Sequence, residues 1–499
     1  FTILRQPTLT VIQRLSYDLK TLDLTMSSDK RDFAEYFFAA LSELMQRNDC
    51  DDYGKAMLSR LLLRELVDTA IADDRQFFSS FYAKLSFFLS KNQFQNTIET
   101  SIKKCNYILN RAFSSKNNFF NRKQLNSVYF SIAQLVSDYT KIDIPDTISN
   151  SIASDSYFEA DNLTKELPRE IEKVEAVVLK RGHIEKNRNG EIIYSEIYCD
   201  SAVLGGFVLR LQYFWKDFYR CTYSGCLINL FKIKSLPNEN GYFRTARETI
   251  IVLEPDILFD VTDIAECFQN RGYNYYFYFL KKYSSGSITA NMMKGNFINY
   301  CFDMLLKDDE VDFDKAYNKA IAIKPLALFY LYDTDPKGLK AIKDEVKLHF
   351  DRLKMLVREI SGKRAIEPSF ISPDYGLQGR LDLLLEDSEQ PLVKNVIELK
   401  SGKAPSVNLN IQTINGDNIR IGLWHNNLAQ TSCYNLLLDS CYKGRLGNSQ
   451  ILYSTDPENP FRNAPNIHIK KQEVMDCRNW IVAHERALML NHYKLFDML

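Results

Sequence analysis

The stretch from Gly376 to Lys403 reads GLQGRLDLLLEDSEQPLVKNVIELKSGK and contains two apolar runs separated by polar residues. These runs, Leu381–Leu385 and Val393–Leu399, are short and rich in Leu, Val and Ile. Such runs predict β-strands, and the polar residues Asp387–Gln390 between them predict a turn that pairs the two strands.

Charged residues lie at the ends of these two predicted strands. Side chains two positions apart on a strand share a face, so Glu398 and Lys400 are expected to point the same way while Leu399 enters the core. Asp382 is expected to reach the same edge from the neighbouring strand. Glu-x-Lys triplets also occur as solvated surface pairs in a chain with 25% charged residues, so the prediction depends on the strand context.

This combination of side chains predicts a metal-dependent nuclease site. Two neighbouring carboxylates repel each other, and a divalent cation between them removes the repulsion while gaining the hard oxygen ligands that suit Mg²⁺ or Mn²⁺. Such a cation activates water near neutral pH and offsets charge on a phosphate oxygen. The ammonium group of Lys400 is expected to orient the water or to stabilise the same charge.

The chain resembles the RecB-like branch of the PD-(D/E)xK nucleases at three motifs: a G-x-x-G-x-x-D strand, an E-x-K-S/T-G-K strand, and a helix with Gln and Tyr four apart. The matching residues are Gly376, Gly379, Asp382, Glu398, Lys400, Ser401, Gly402, Lys403, Gln430 and Tyr434. Two upstream stretches, Ile251–Ala265 and Met293–Asp303, look like the nuclease part of the Okazaki-flap nuclease-helicase family. The likeness spans about residues 170–485.

The resemblance implies roles for individual residues around a site that holds two Mg²⁺ or Mn²⁺ ions. Asp382 and Glu398 would bind metal, and Lys400 would assist the nucleophile. Gln430 would support the metal site or the scissile phosphate, with Tyr434 packed behind it or bonded to it. The candidate substrate contacts are Arg380, Lys403 and Tyr434.

One expected metal ligand differs from the family pattern. The family usually places a His four residues after the helix glycine, and here that position is Asn299. An amide oxygen can coordinate a hard cation, although it carries no charge and does not replace imidazole for softer metals. Glu367, just before the glycine motif, could share the metal, or it could be a solvated turn carboxylate before Pro368.

An iron-sulfur cluster, which several relatives hold, is not expected here. Cys267 lies near the position of the first cysteine ligand, but only Cys441 and Cys477 follow Tyr434. The second group of closely spaced cysteines is therefore missing. Most of the ten cysteines are expected to be buried structural thiols.

The chain of 499 residues is expected to be a multidomain α+β protein with three parts, at residues 1–165, 166–258 and 259–499. From Leu9 to Ser156, apolar residues recur every three or four positions, which predicts an all-helical domain with no chemical motif. A docking or regulatory surface and an inert helical cap are both open for this part. The predicted helices here include Phe33–Met45, Ala56–Ala72, Phe77–Leu89 and Tyr129–Tyr139.

After Pro168 the pattern changes to alternation, and the predicted strands are Val174–Lys180, Glu191–Tyr198, Ala202–Tyr213, Cys226–Ile233 and Thr249–Leu253. Asn189-Gly190 indicates a tight hairpin between the first two. Five short strands predict a small barrel, and the resemblance implies one of the oligonucleotide-binding (OB) kind. The nearby aromatic residues could stack on unpaired bases or fill the barrel interior: Tyr213, Phe214, Trp215 and Tyr219.

The third part is expected to be an α/β PD-(D/E)xK core resembling restriction endonucleases. Its predicted elements are a helix opening at Lys294-Gly295, a helix from Asp335 to Ile360, the two motif strands, a polar excursion from Ala404 to Gly422, the Gln430/Tyr434 helix, a strand at Gln450–Ser454 and a helix from Glu473 past Leu488.

The resemblance implies single-stranded or flapped DNA as the substrate, in repair, replication or defence. The 63 basic and 63 acidic residues balance, so any DNA path must be a local groove. No Gly-x-x-x-x-Gly-Lys-Ser/Thr loop occurs, so unwinding is expected from a helicase in a missing segment or a partner. Beginning at Phe1, the chain is expected to be a fragment or a processed form.

Ten cysteines without a secretory segment, and no apolar stretch long enough to span a bilayer, favour an intracellular protein of the cytoplasm or nucleoid, or of the nucleus in a eukaryote. The alternative to an enzyme is a nuclease-like scaffold that binds single strands or a helicase partner. RNA cleavage also stays open, because contacts to the 2′-hydroxyl leave no short sequence signature.

Overall fold

The computed structural model describes residues 30–490, except for 75–77, 79, 115–121, 153–168, 238, 240, 270–271, 285–288, 324, 333–335, 387–391, 414–415 and 417. The predicted Asp387–Gln390 turn and the beginning of the predicted helical domain at Leu9 lie outside the described residues. Among the described residues, no helix combines the length and the apolar character needed to cross a lipid bilayer.

The N-terminal part is helical, as predicted. Its helices are α1 Lys30–Gln46, α2 Asp52–Ala70, α3 Phe81–Asn92, α4 Asn96–Ser114, α5 Arg122–Thr140 and α6 Asp146–Ser149. Residues at helical spacing such as Phe33, Phe37 and Leu41 are buried in one core that these helices share. Asp51 and Ser80 cap α2 and α3 by accepting backbone N–H groups, which fixes where each of these helices begins.

A closed five-stranded barrel follows, and this prediction is confirmed. Its strands are β1 Glu170–Lys186, β2 Ile192–Ser201, β3 Gly205–Leu211, β4 Leu227–Ser235 and β5 Tyr242–Leu253, in the spatial order β1-β2-β3-β5-β4 with β4 returning to β1. Alternate residues, including Ile197, Leu209 and Phe243, are buried in the interior. Gly190, between β1 and β2, has φ +81°, as a tight hairpin turn requires.

Between β3 and β4, a 3₁₀ helix at Tyr213–Arg220 replaces the end of the predicted third strand. Trp215 on this helix is buried in the core, and its indole N–H donates to the carbonyl of Thr249. Trp215 therefore fills the interior, while Tyr213 remains exposed.

The helical part is joined to the barrel through Asp200 of β2. Its buried carboxylate accepts hydrogen bonds from Tyr82 (3.0 Å) and Ser86 (2.8 Å) and pairs with Lys103 at 2.8 Å. Three donors from α3 and α4 thus compensate one buried charge, which holds these helices in one position on the barrel.

Two sheets form the C-terminal part. Its strands are β6 Phe259–Asp260, β7 Lys363–Ile366, β8 Ser369–Ser372, β9 Leu377–Arg380, β10 Leu383–Glu386, β11 Lys394–Lys400, β12 Asn410–Gln412, β13 Asn418–Arg420, β14 Leu446–Tyr453 and β15 Phe461–Ala464. The larger sheet has the order β15-β14-β11-β10-β7, and a smaller one the order β6-β9-β8. β12 and β13 pair as a separate hairpin.

Eight helices accompany these sheets, and some of them cover both faces of the larger sheet. The eight are α7 Val261–Glu266, α8 Tyr276–Tyr283, α9 Ala290–Lys307, α10 Phe313–Ile323, α11 Pro325–Tyr332, α12 Pro336–Val357, α13 His425–Tyr442 and α14 His468–Leu490. Leu383 and Leu399 pack towards α9 and α12, whereas Leu384 and Val396 face the core that contains α13. The parallel strands β11 and β14 are connected through α13, as expected for a parallel crossover.

The last helix, α14, lies along β5 of the barrel and bonds to its backbone. Asn479 accepts the N–H of Leu253 and donates to the carbonyl of Ile251, both at 2.8 Å. Gln472 donates to the carbonyls of Arg247 and Thr249. These amide side chains act as a neighbouring strand would, so the barrel and the C-terminal part share one seam and one hydrophobic core.

Several predicted boundaries differ from those observed. The helix expected to open at Lys294-Gly295 begins at Ala290, where Thr289 caps it by accepting the N–H of Met292. The polar excursion from Ala404 to Gly422 contains the β12–β13 hairpin, which the sequence analysis missed.

Candidate active site

Asp382 lies where the chain passes from one sheet to the other. It follows β9 of the smaller sheet and immediately precedes β10 of the larger one. The pairing of Leu383 with Ile397 continues by one residue to place Asp382 opposite Glu398. The N–H of Leu399 donates to Asp382 Oδ2 at 2.8 Å, so the carboxylate is held against β11.

Glu398 is the centre of the hydrogen-bond network at this site. It is 4% exposed, and its Oε1 accepts hydrogen bonds from Lys400 Nζ (3.0 Å) and Gln430 Nε2 (2.6 Å). The expected common face of Glu398 and Lys400 is therefore observed, with Leu399 buried on the opposite side. Glu398 Oε2 is buried without a hydrogen-bond partner among the described residues.

Gln430 is held by Tyr434, one turn later on α13. The Gln430 amide donates to the Tyr434 hydroxyl at 2.9 Å, and that hydroxyl donates to the carbonyl of Arg380 at 3.0 Å. Tyr434 is only 1% exposed. Tyr434 therefore lies behind Gln430 and bonds to it, as predicted for its packing, while its substrate contact stays a prediction.

The charged groups at the site shift one another's pKa values. Burial and repulsion by Glu398 raise the pKa of Asp382 well above its usual value, although Lys400 and the Leu399 amide oppose this. Burial lowers the pKa of Lys400, but attraction by Glu398 and Asp382 outweighs burial and raises it overall. Lys400 is therefore an ammonium group at neutral pH in this structure, and it offsets part of the repulsion between the two carboxylates.

Asp303 is an acidic neighbour that the sequence analysis did not select. It lies on α9 one turn after Asn299 and two turns after Gly295, which passes beside the Ser401 hydroxyl. Burial and repulsion by Glu367 raise the pKa of Asp303 to about 7, and its charge also raises the pKa of Asp382. The spacing of four residues after Asn299 was the available signal for Asp303.

Asn299 itself is half-buried, and its side-chain amide makes no hydrogen bond to another described residue. Glu367 bonds through its backbone N–H to the carbonyl of Asp382 at 3.0 Å, while its carboxylate pairs with Arg380 at 3.4 Å. The second possibility considered for Glu367, a turn residue, agrees with its positive φ of 48°. Lys403 is exposed beside the site, and its carbonyl accepts the indole N–H of Trp424.

Two motif glycines occupy positions where a side chain would collide. A Cβ on Gly376, which has φ +60°, would lie 2.0 Å from Arg478 Nη2. A Cβ on Gly379 would lie 3.0 Å from Val261 on α7. The glycines allow β9 and its entry to approach two helices closely, and this approach places Asp382 at the end of β11.

The oxygen donors at the site suit a hard divalent cation. Asp382 and Glu398 face each other, and the unpartnered Glu398 Oε2 has the chemistry of a Mg²⁺ or Mn²⁺ ligand. Within residues 30–490, where described, no three or more His, Cys, Asp and Glu side chains are grouped to hold a metal. The residues thus fit one ion held by two carboxylates, and the expected second ion stays a prediction.

Cysteines meet elsewhere in the C-terminal core. Cys267 and Cys477 are both buried, and the Cys267 thiol donates to the carbonyl of Asp263 at 3.5 Å. Burial, with Cys267 and Cys433 nearby, raises the pKa of Cys477. Cys441 is exposed and separate from them.

Comparison of the chain with protein-family models and with curated proteins returns no match.

Proposed function

We propose that this protein is a metal-dependent deoxyribonuclease that hydrolyses phosphodiester bonds in single-stranded or flapped DNA, with the PD-(D/E)xK core of the RecB-like type. One observation carries the proposal: two carboxylates face each other across paired strands while an ammonium and an amide converge on one of them. Asp382 lies opposite Glu398, and Lys400 and Gln430 both donate to Glu398 Oε1. Such charges are costly to bury without a ligand, which supports a working site.

The residues divide the chemistry between them. A divalent cation held by Asp382 and Glu398 would lower the pKa of water and offset charge that develops on the phosphate. Lys400, which donates to Glu398 Oε1, would orient the attacking water or stabilise charge on the phosphate. Gln430 fixes the orientation of the Glu398 carboxylate.

Exposed cations flank the site on both sides. Arg380, whose side chain is exposed, precedes Asp382, and exposed Lys403 follows Lys400. Both cations would contact phosphates on either side of the scissile bond, a contact that gives affinity without sequence preference.

The barrel supports a single-stranded substrate. Its strand order agrees with an OB-fold, whose strand β2–β3 face and adjoining loops bind oligonucleotides in other proteins. Since the chain has no P-loop, unwinding in this proposal comes from a helicase in another segment or a partner. The same proposal places the protein inside the cell, where such DNA intermediates form.

Cleavage of end-labelled single-stranded, flapped and duplex DNA with Mg²⁺ or Mn²⁺ tests the function. Lys400→Ala and Asp382→Ala are expected to lower the rate roughly 10²–10³-fold or more, as loss of transition-state charge stabilisation does. Lys363→Ala is the matched control, because Lys363 lies on the same sheet with its side chain 82% exposed. An RNA strand of the same sequence tests the choice of nucleic acid. Products that persist in both site variants would contradict the proposal.

A second candidate is a scaffold that binds single strands or a helicase without cutting. Asn299 in place of an imidazole, together with only two facing carboxylates, favours it. Strand binding without metal-dependent products from the wild type would support the scaffold, and restoring His at residue 299 would then be the first variant to assay.

A further inference from the structure

A polar cleft of about 680 Å³ lies between the β12–β13 hairpin and the first turn of α13. Its polar lining consists of Asn410, Gln412, Asn418, Trp424 and His425, and no acidic residue, Lys or Arg is among the described lining residues. The volume is within the range of pockets that hold small ligands. The proposed hydrolysis uses none of these side chains.

The hairpin presents its amides to this cleft because of its register. Gln412 pairs with Asn418, so the two side chains share a face, and Asn410 lies two residues before Gln412 on the same face. Ile411, between them, is buried and also lines the cleft. The three amides are exposed and make no hydrogen bond to another described residue. Each amide side chain carries both a donor and an acceptor for a ligand.

Trp424 provides an aromatic wall. Its ring is 43% exposed, yet its indole N–H donates to the carbonyl of Lys403 at 2.8 Å. That bond fixes the ring beside the motif strand. An exposed and oriented indole is a suitable platform for stacking a planar ligand.

His425 leaves the cleft uncharged. Its Nδ1 accepts the N–H of Gly272 at 3.3 Å, and its Nε2 lies 2.7 Å from Lys470 Nζ. Burial, helped by the nearby Lys470 charge, lowers the pKa of His425 to about 3, so the ring is neutral. Arg420, which pairs with Asn410 on the same face of the hairpin, donates to Asn408 and does not line the cleft. A lining rich in amides favours a neutral ligand with donors and acceptors over a phosphate group.

The cleft is close to the candidate active site. Trp424 immediately precedes α13, and Gln430 lies six residues further along, which corresponds to about 9 Å of helix rise. A single strand that crosses the carboxylate pair can therefore reach the cleft with a neighbouring nucleotide.

We propose that this cleft binds one unpaired nucleobase of the substrate strand, stacked on Trp424 and hydrogen-bonded at its edge by Asn410, Gln412 and Asn418. The proposal rests on the proposed function and specifies it: the site takes a strand with an unstacked base near the cleavage position. Stacking of this kind tolerates any base, because every base has a π-face.

Binding without cleavage separates this proposal from the nuclease activity. The probe is a fluorescein-labelled oligodeoxythymidine, titrated in Ca²⁺ under conditions in which a gel shows it intact. Trp424→Ala is expected to weaken binding roughly 5- to 150-fold, the range for loss of one stacked base, whereas Trp424→Phe retains most of the affinity. Phe329→Ala is the matched control, because Phe329 is a 63% exposed aromatic residue on α11 that does not line the cleft.

A second variant and a second probe guard against indirect effects. Gln412→Ala/Asn418→Ala leaves the Trp424–Lys403 bond intact and is also expected to weaken binding. An oligonucleotide of abasic sugars should bind the wild type and Trp424→Ala equally. Wild-type affinity in both the Trp424 and the amide variants, with cleavage intact, would overturn the base site while leaving the nuclease standing. Binding that depends on Trp424 in a protein that never cleaves would support the base site and refute the nuclease.

Discussion

Arg478 on α14 should be one of the side chains on which the stability of the C-terminal part most depends. Its buried guanidinium donates to four backbone carbonyls: those of Leu253, Glu254 (2.8 Å), Ile257 (2.6 Å) and Gly376 (3.0 Å). Together they join the end of the barrel, the turn after it and the entry to the glycine motif. Arg478→Met keeps most of the side-chain volume and removes all four donors.

The loss of stability depends on which of the four carbonyls keep another hydrogen-bond donor. Glu254 O still accepts the N–H of Ile257, and Gly376 O still accepts that of Phe259. The carbonyls of Leu253 and Ile257 lose a donor, at about 1–3 kcal/mol each. Relief from burying the guanidinium charge, whose pKa burial lowers to about 9, offsets part of this. A net loss of about 3 kcal/mol would lower the melting temperature by roughly 6–12 °C.

Differential scanning calorimetry of the wild type and Arg478→Met measures this loss directly. Arg220→Met is the control, because Arg220 lies on the barrel with its side chain 55% exposed and the same substitution there should be nearly neutral. A melting temperature for Arg478→Met that matches the control would refute the reasoning that these carbonyl bonds hold the parts together.

Three further predictions concern buried charges. Asp382→Asn removes the repulsion with Glu398 yet retains an oxygen for the Leu399 N–H, so the melting temperature should rise while Mn²⁺-dependent cleavage is lost. A fall in melting temperature would contradict the cause given for the raised pKa of Asp382. Burial lowers the pKa of His349 from 6.5 to about 4, so its neutral form should add stability above pH 6.5 that is lost as the pH falls to 4. In His349→Gln, the free energy of unfolding measured with urea should depend less on pH across that window. An unchanged pH dependence would disprove the assignment. Asp200→Ala removes the acceptor shared by Tyr82, Ser86 and Lys103, of which Lys103 keeps Glu99, and should cost roughly 3–5 kcal/mol by urea denaturation. Asp217→Ala, at an exposed position, should change little.

Local alternation was enough to predict the paired motif strands and the barrel. Leu383–Leu385 and Val396–Leu399 alternate between two cores, so the common face of Glu398 and Lys400 followed from the period of a strand alone. The hairpin at Gly190 could likewise be predicted from a segment of only four residues around this turn glycine.

Features that depend on distant packing could not be predicted in this way. Asp303 acts on Asp382 because of the way α9 packs, and its spacing of four residues after Asn299 indicates only a shared helix face, not that approach. The β12–β13 hairpin was not predicted, because each strand has a single apolar residue, Ile411 or Ile419, flanked by polar ones, and so shows no alternating pattern. The support of β5 by α14 comes from amide side chains, which carry no periodic signal.

The hydrogen bonds between α14 and β5 also determine the order in which parts of the chain can fold during synthesis. The Asn479 side chain that satisfies the N–H of Leu253 is separated from it by 226 residues of chain. At ribosomal rates of about 5–20 residues per second, this part of β5 waits roughly 10–45 s for its partner. During synthesis this part of β5 therefore carries unpaired backbone groups until α14 has emerged. A ribosome stalled before Asn479 should hold a chain that is more prone to aggregation than one stalled after α14.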